Sequence, residues 1–168
     1  MNKLSLSIAN LAQDSQVFNE IAEKHEDYSI EAIRKQFKII ESEFQELSNG
    51  VCYNDTEEIL DGAVDVIVTV VGLMQQLEAA GIDVSEACNR IAENNLSKYV
   101  KDKREADVSV DFYKQKGIDV KVNYNLQYDV YMLTDTAGKI RKPSSFKDVY
   151  IQDLIPVELL LKGFPVVQ

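Results

Sequence analysis

The sequence predicts a mainly α fold of four or five helices, a helical bundle with a small β-meander or hairpin insertion towards its C-terminal end. Three observations carry that prediction. Apolar residues recur at intervals of three and four through the first hundred residues. From Glu57 to Ala80 there is no proline and no turn cluster, a stretch of roughly two dozen residues where a strand usually has about 5–6. After Tyr99 the pattern changes to alternation of apolar and polar residues.

Taken in order, Val17, Phe18, Ile21 and Ala22 predict a first, short helix. Ile33, Phe37, Ile40, Phe44 and Leu47 mark one stripe of a second, which "SNG" at 48–50 is expected to end through a left-handed C-cap at Gly50. The third helix is expected over Glu57 to Ala80. Its run "VIVTVV" is β-branched and favours strand, but length decides for helix. Gly81 closes it, and "DVSE" (83–86) reads as a capping box opening a fourth helix through Ile91 and Leu96. The charged stretch "KDKREAD" (101–107) is expected to be a connector. Val108, Val110 and Phe112, then Val120, Val122 and Tyr124, then Tyr128, Val130 and Met132 predict three strands, with turn chemistry at "KQKG" (114–117) and "DTAG" (135–138). Such a small sheet is marginal alone, so its valines need cover from the helices or from another subunit. A single domain over 1–168 is expected, with a helical core at about 14–100 and a β-containing extension at about 107–168, a size that suffices for a continuous core.

The 28 acidic and 18 basic residues give a formal charge of −10. That balance argues against general affinity for nucleic acid or anionic membranes, and favours a cation as partner. Cys52 and Cys88 form no C-x-x-C pair, and with His25 as the single histidine they make no zinc site of the usual kind. Both read as ordinary buried thiols in a reducing compartment, and His25 as a surface or loop residue. The start lacks a sustained apolar run and no segment approaches bilayer length, so a soluble, cytoplasmic protein is expected.

The third helix raises a question, because a segment this apolar carries Glu58, Asp61 and Asp65. At about 100° per residue these fall in one narrow stripe with Thr69 and Gly72, while Leu60, Val64, Ile67, Val71 and Met74 lie well away from it. On the second helix Glu43 and Glu46 share a face bordering the apolar stripe. Solvated helix positions are the ordinary explanation for any one of them. The grouping weakens it, because like charges at i,i+4 destabilise a helix by about 0.2–0.5 kcal/mol unless something positive lies between them. Two helices that each present paired carboxylates suit hard divalent cations such as Mg²⁺. A di-iron bundle would add Glu-x-x-His motifs, which the chain lacks.

"ESEFQEL", then "EILDGAVDVIVTVVG", then "GIDVSEACNRIAENNLSK" resemble the MazG-like, all-α nucleoside triphosphate pyrophosphohydrolase superfamily, including phage-type enzymes similar to phosphoribosyl-ATP pyrophosphohydrolase. The resemblance covers roughly residues 30–100 and a short C-terminal piece. The family pattern is E-x-x-E, a spacer, then E-x-x-D. Glu43 and Glu46 fit the first half, and Glu58 and Asp61 fit the second literally. "DGAVD" also resembles the "DALAD" form of this helix, which points to Asp61 and Asp65 as ligands with Glu58 in reserve. "NLSK" (95–98) resembles "NMSK", and "GKIRKP" (138–143) resembles a "GKVLKGP" tail. Ser42 stands where the family often has a further glutamate, a role open to Glu41, and the segment 107–134 lengthens a usually short tail.

The resemblance implies hydrolysis of a nucleotide between its α and β phosphates, giving a monophosphate and pyrophosphate. It implies Mg²⁺, or Mn²⁺ as a substitute, on Glu43, Glu46, Asp61 and Asp65, with Glu43 as the catalytic base. Asn95, Lys98 and Lys142 are the candidates for substrate contacts. A deoxynucleoside triphosphate is the first expected substrate, and phosphoribosyl-ATP the alternative. Members are homodimers or dimers of dimers, so the expected partners are the nucleotide and the chain itself. The rival expectation is a non-catalytic helical interaction module, suggested by an apolar arc of about 220° on the third helix.

Overall fold

A computed structural model of the chain describes residues 2–24 and 27–166, so His25 lies outside the described residues. The chain is mainly helical with one small antiparallel sheet, and it divides into two compact units, Met1–Val84 with Gln152–Gln168, and Ser85–Ile151. The fourth helix therefore groups with the C-terminal extension, and the last segment returns to the first three helices.

The first unit holds α1 (Lys3–Ile21), α2 (Ile30–Tyr53), α3 (Thr56–Ala79) and the short α6 (Val157–Lys162). The expected short first helix is corrected to 19 residues starting at Lys3, with Ala22 as its C-cap. Leu4 and Ile8 stand at i,i+4, but with Leu6 they stay exposed, so this end of the helix has no buried apolar stripe. A local cap starts the helix, as Asn2 Oδ1 accepts from the Ser5 N–H at 2.9 Å.

α2 and α3 form an antiparallel hairpin joined by two residues, each a cap. Asn54 takes the left-handed conformation (φ 55°) that ends α2, and the Asp55 carboxylate starts α3 by accepting from the N–H groups of Glu57 (3.0 Å) and Glu58 (3.2 Å). The expected cap at Gly50 is corrected: Gly50 is buried inside α2, where a Cβ would stand 2.8 Å from the Ile59 nitrogen. The expected third helix holds within a residue at each end, β-branched run included.

In the second unit α4 (Val84–Leu96) begins directly after Asp83, as the sequence predicts. The expected strand at 108–112 is a helix, α5 (Lys103–Gln115). Its first turn lies in the stretch expected to be a connector, where the Asp102 side chain accepts from the Arg104 N–H at 2.9 Å. Ala106 and Ser109 are fully buried at i,i+3, while Val108 is exposed. A helical period therefore overrides a short accidental alternation. The sheet is β1 (Val120–Asn125), β2 (Val130–Asp135) and β3 (Ile140–Arg141), antiparallel in that order, so the meander runs over 120–141. Gly117 and Gly138, both at positive φ, make the expected turns. α5 covers β1 and β2, and Leu133 is fully buried.

The expected burial of the two thiols is also corrected, since Cys52 and Cys88 are free and exposed. Gly50 faces α3, and two residues further on a helix point to the opposite side, which carries Cys52 outward. Among the described residues no helix is long and apolar enough to cross a membrane.

Large apolar side chains are left outside the first unit. Phe37, Phe44 and Val51 recur every seven residues along α2, with Leu60 and Val64 on α3, and all five are exposed, Phe44 by 62% and Leu60 by 68%. Among the described residues of this unit, Ala32 is the one hydrophobic side chain that is buried.

Candidate functional site

Glycines set the seam between α2 and α3. A Cβ on Gly62 would lie 2.8 Å from the Leu47 nitrogen and 2.9 Å from its Cα, and Gly50 meets Glu58 and Ile59 in the same way. Further along, the Gln36 Nε2 donates to the Thr69 carbonyl at 2.8 Å beside Gly72, and the Asn19 Nδ2 donates to Gln75 Oε1 at 2.7 Å. The stripe that holds Glu58, Asp61, Asp65, Thr69 and Gly72 therefore faces α2, which answers the question the sequence raised. Small residues let the helices approach, and the acids are carried to their meeting line.

With Leu47 opposite Gly62 in an antiparallel pair, the turn that carries Glu43 and Glu46 runs alongside the stretch of α3 that carries Asp61 and Asp65. Glu43 and Asp65 are half-buried, Glu46 and Asp61 exposed. Loss of solvent first, then the negative charges of Glu46, Asp65 and Asp61, raise the Glu43 carboxyl above the ordinary 4.5. Glu58 is not among the groups acting on it; it lies against Gly50, about one helical turn away. The donors are all carboxylate oxygens, the chemistry a hard divalent cation takes. Among the described residues, no three acidic, histidine or cysteine side chains already stand in a metal-holding arrangement.

Asn95, Lys98 and Lys142 belong to the second unit, and all three line one cavity of about 750 Å³. Lys98 Nζ donates to Asn95 Oδ1 at 2.8 Å, and Lys142 pairs with Asp148 at 2.9 Å. The α5 residue Tyr113 closes another side, its hydroxyl donating to the Lys142 carbonyl at 2.9 Å. Sequence reasoning missed Tyr99, Tyr113, Lys139 and Arg141 in this lining. The basic cluster "KIRK" was a visible signal for two of them, whereas the tyrosines join only through the fold. It also missed Gly62, although that residue sits between Asp61 and the next turn of the acidic stripe.

Arg141 is bound to Asp135 through Nε at 2.9 Å and Nη2 at 2.7 Å. The Asp135 carboxyl is held below its ordinary range by the Lys139 N–H first, against its own loss of solvent, then by Arg141 and the Ala137 N–H.

Comparison with family models, with curated proteins and with solved structures gives no match.

Proposed function

We propose that the protein is a Mg²⁺-dependent nucleoside triphosphate pyrophosphohydrolase of the MazG-like all-α type, acting first on a deoxynucleoside triphosphate. The observation that carries this reading is the meeting of two carboxylate pairs across a glycine seam, where loss of solvent first and then the neighbouring acids raise the Glu43 carboxyl. Repelling acids held together without a cation lower stability, and a cation between them removes that penalty. A bound Mg²⁺, or Mn²⁺ in its place, supplies positive charge against the phosphates and acidifies water.

The chain's own part follows from its side chains. Glu43, Glu46, Asp61 and Asp65 would hold the cation, and Glu43 would also take the proton of the attacking water. The water oxygen bonds to the α-phosphorus as the bridge to the β-phosphate breaks, and pyrophosphate leaves. Asn95, Lys98 and Lys142, all in the second unit, are nucleotide phosphate contacts in this reading.

The active species is a homo-oligomer. The chain exposes 12079 Å², whereas two separate compact units of about 11 and 8 kDa together expose roughly 10,000 Å². The excess of roughly 2,000 Å² is of the size that permanent homodimer interfaces bury. Its most apolar part is the Phe37/Phe44/Val51 and Leu60/Val64 face, opposite in character to the seam. A second copy laid on this face completes a four-helix bundle.

The test is pyrophosphate release from the common ribo- and deoxynucleoside triphosphates with Mg²⁺, repeated after exhaustive chelation and with Asp65→Asn. Release is expected to need the metal and to fall by orders of magnitude in the variant, while Mg²⁺ raises the melting temperature of the wild type. Release that survives chelation overturns the mechanism. No release and no stabilisation by Mg²⁺ makes the protein an interaction module instead.

A further inference from the structure

The cavity of the second unit departs from the rest of the molecule in charge. The chain carries −10 overall, yet four of its 18 basic residues, Lys98, Lys139, Arg141 and Lys142, line this one space, and among the described residues no Asp or Glu lines it. Asp135 and Asp148, outside the lining, neutralise Arg141 and Lys142. Lys98 is bonded to a neutral amide, and the Lys139 ammonium has no ion pair among the described residues. The cavity therefore keeps about two positive charges for a ligand, in a concavity where field lines concentrate.

The remaining lining is apolar and aromatic. Leu96 and Tyr99 at the end of α4, Tyr113 on α5 and Ile140 on β3 form it, so three elements converge that only the extension brings together. A free phosphate or pyrophosphate uses the cations and leaves this surface wet. A volume of about 750 Å³ is in the range that takes a whole small-molecule ligand.

We infer that this cavity is a nucleoside polyphosphate site in which the extension, through Tyr113, Ile140 and Lys139, binds the base as well as the phosphates. The inference takes its ligand class from the hydrolase reading and places base selection in the segment 103–141, where the expectation for such a chain is the first helix, the 25–33 segment or a neighbouring subunit. Lys98 and Lys139 take the phosphate oxygens, and Lys142, paired with Asp148, stands beside them. The base lies against the aliphatic and aromatic wall, where a ring face meets Tyr113 or Tyr99. The same chemistry fits a substrate or an effector nucleotide, and turnover separates them.

Binding is measured by calorimetry on the full chain in EDTA, so that the acidic seam holds no cation and repels phosphates. The probes are the four common deoxynucleoside triphosphates and inorganic tripolyphosphate. At least one nucleotide is expected to bind about tenfold or more tighter than tripolyphosphate, the scale of one base–aromatic contact. Lys139→Gln is expected to weaken both probes by several fold, and Tyr113→Leu to weaken the nucleotide alone. Tyr113→Phe, which keeps the ring and loses the bond to the Lys142 carbonyl, is expected to retain base-dependent affinity. Asp65→Asn is expected to leave binding in place.

The inference is overturned by the absence of nucleotide binding in EDTA, by equal affinity for tripolyphosphate and all four nucleotides, or by indifference to Lys139→Gln. It is also overturned if Tyr113→Leu weakens tripolyphosphate as much as nucleotide, since the ring then only positions Lys142, or if Asp65→Asn abolishes binding. Binding that meets the expectations while no nucleotide is hydrolysed sustains the site as an effector site and refutes the hydrolase reading alone. If nucleotide is hydrolysed and Tyr113→Leu raises KM with kcat little changed, the bound nucleotide is the substrate.

Discussion

Gly62→Ala tests whether the glycine seam sets the spacing of the acidic pairs. In a helix interior alanine is favoured over glycine by about 1 kcal/mol, so propensity alone predicts stabilisation. The added Cβ, however, would stand 2.8 Å from the Leu47 nitrogen, 2.9 Å from its Cα and 3.0 Å from its Cβ, where unstrained contacts lie at about 3.5–4.0 Å. Two of those atoms are backbone, so relief requires α2 to retreat as a body by about 0.5–1 Å. Overpacking of this kind costs up to about 3 kcal/mol, leaving a net loss of about 2 kcal/mol. Gly72→Ala is the comparison, because its Cβ meets only side-chain ends, Gln36 Nε2 at 3.0 Å and Asn19 Nδ2 at 3.2 Å. Those amides can move, at a loss of about 1 kcal/mol per hydrogen bond weakened against the same gain in propensity, so its net effect is about 0–1 kcal/mol. Urea midpoints at one fixed protein concentration measure both, since self-association contributes to apparent stability. In Gly62→Ala the rise in melting temperature on adding Mg²⁺ should also shrink, because the carboxylate pairs are pushed apart. A Gly62→Ala protein as stable as wild type, or less damaged than Gly72→Ala, refutes the reasoning.

A folded-state carboxyl raised above 4.5 binds its proton more tightly folded than unfolded, so in EDTA the contribution of Glu43 to stability falls as pH rises from about 4.5 through its folded value. Urea midpoints across that window should show a slope that Glu43→Gln flattens. Asp135 has the opposite sign: its lowered carboxyl stabilises the fold above the ordinary 3.8 and loses that contribution as pH falls through its folded value, so Asp135→Asn should make the acid-side loss shallower. Phe44→Ser removes an exposed side chain, which in a monomer costs no more than about 0.5 kcal/mol; light scattering should instead show a smaller oligomer, and an unchanged mass would exclude that face from the interface. Of the acids on α3, Glu58→Gln should retain Mg²⁺-dependent turnover where Asp65→Asn loses it, and the reverse result would move the metal site towards Gly50.

Periodicity and uninterrupted length by themselves determined that α2, α3 and α4 exist, although α2 runs to Tyr53, beyond the cap expected at Gly50. They also placed Glu58, Asp61, Asp65, Thr69 and Gly72 on a common stripe, since angular position on a helix is fixed by residue number alone. The sequence did not say what that stripe faces. Only the tertiary structure turned it towards α2, because the closeness of two helices depends on which small residues meet, and Gly50 and Gly62 meet their partners across a hairpin whose register is set by Asn54 and Asp55. The stretch 103–115 was misread because five alternating residues fit both periods, and burial of Ala106 and Ser109 beneath the sheet decided for helix. Asn95, Lys98 and Lys142 could be singled out one by one. That they share a cavity with Tyr113 and Lys139 is a consequence of chain reversal at Gly117 and Gly138, a long-range effect that carries no local periodicity for the sequence to display.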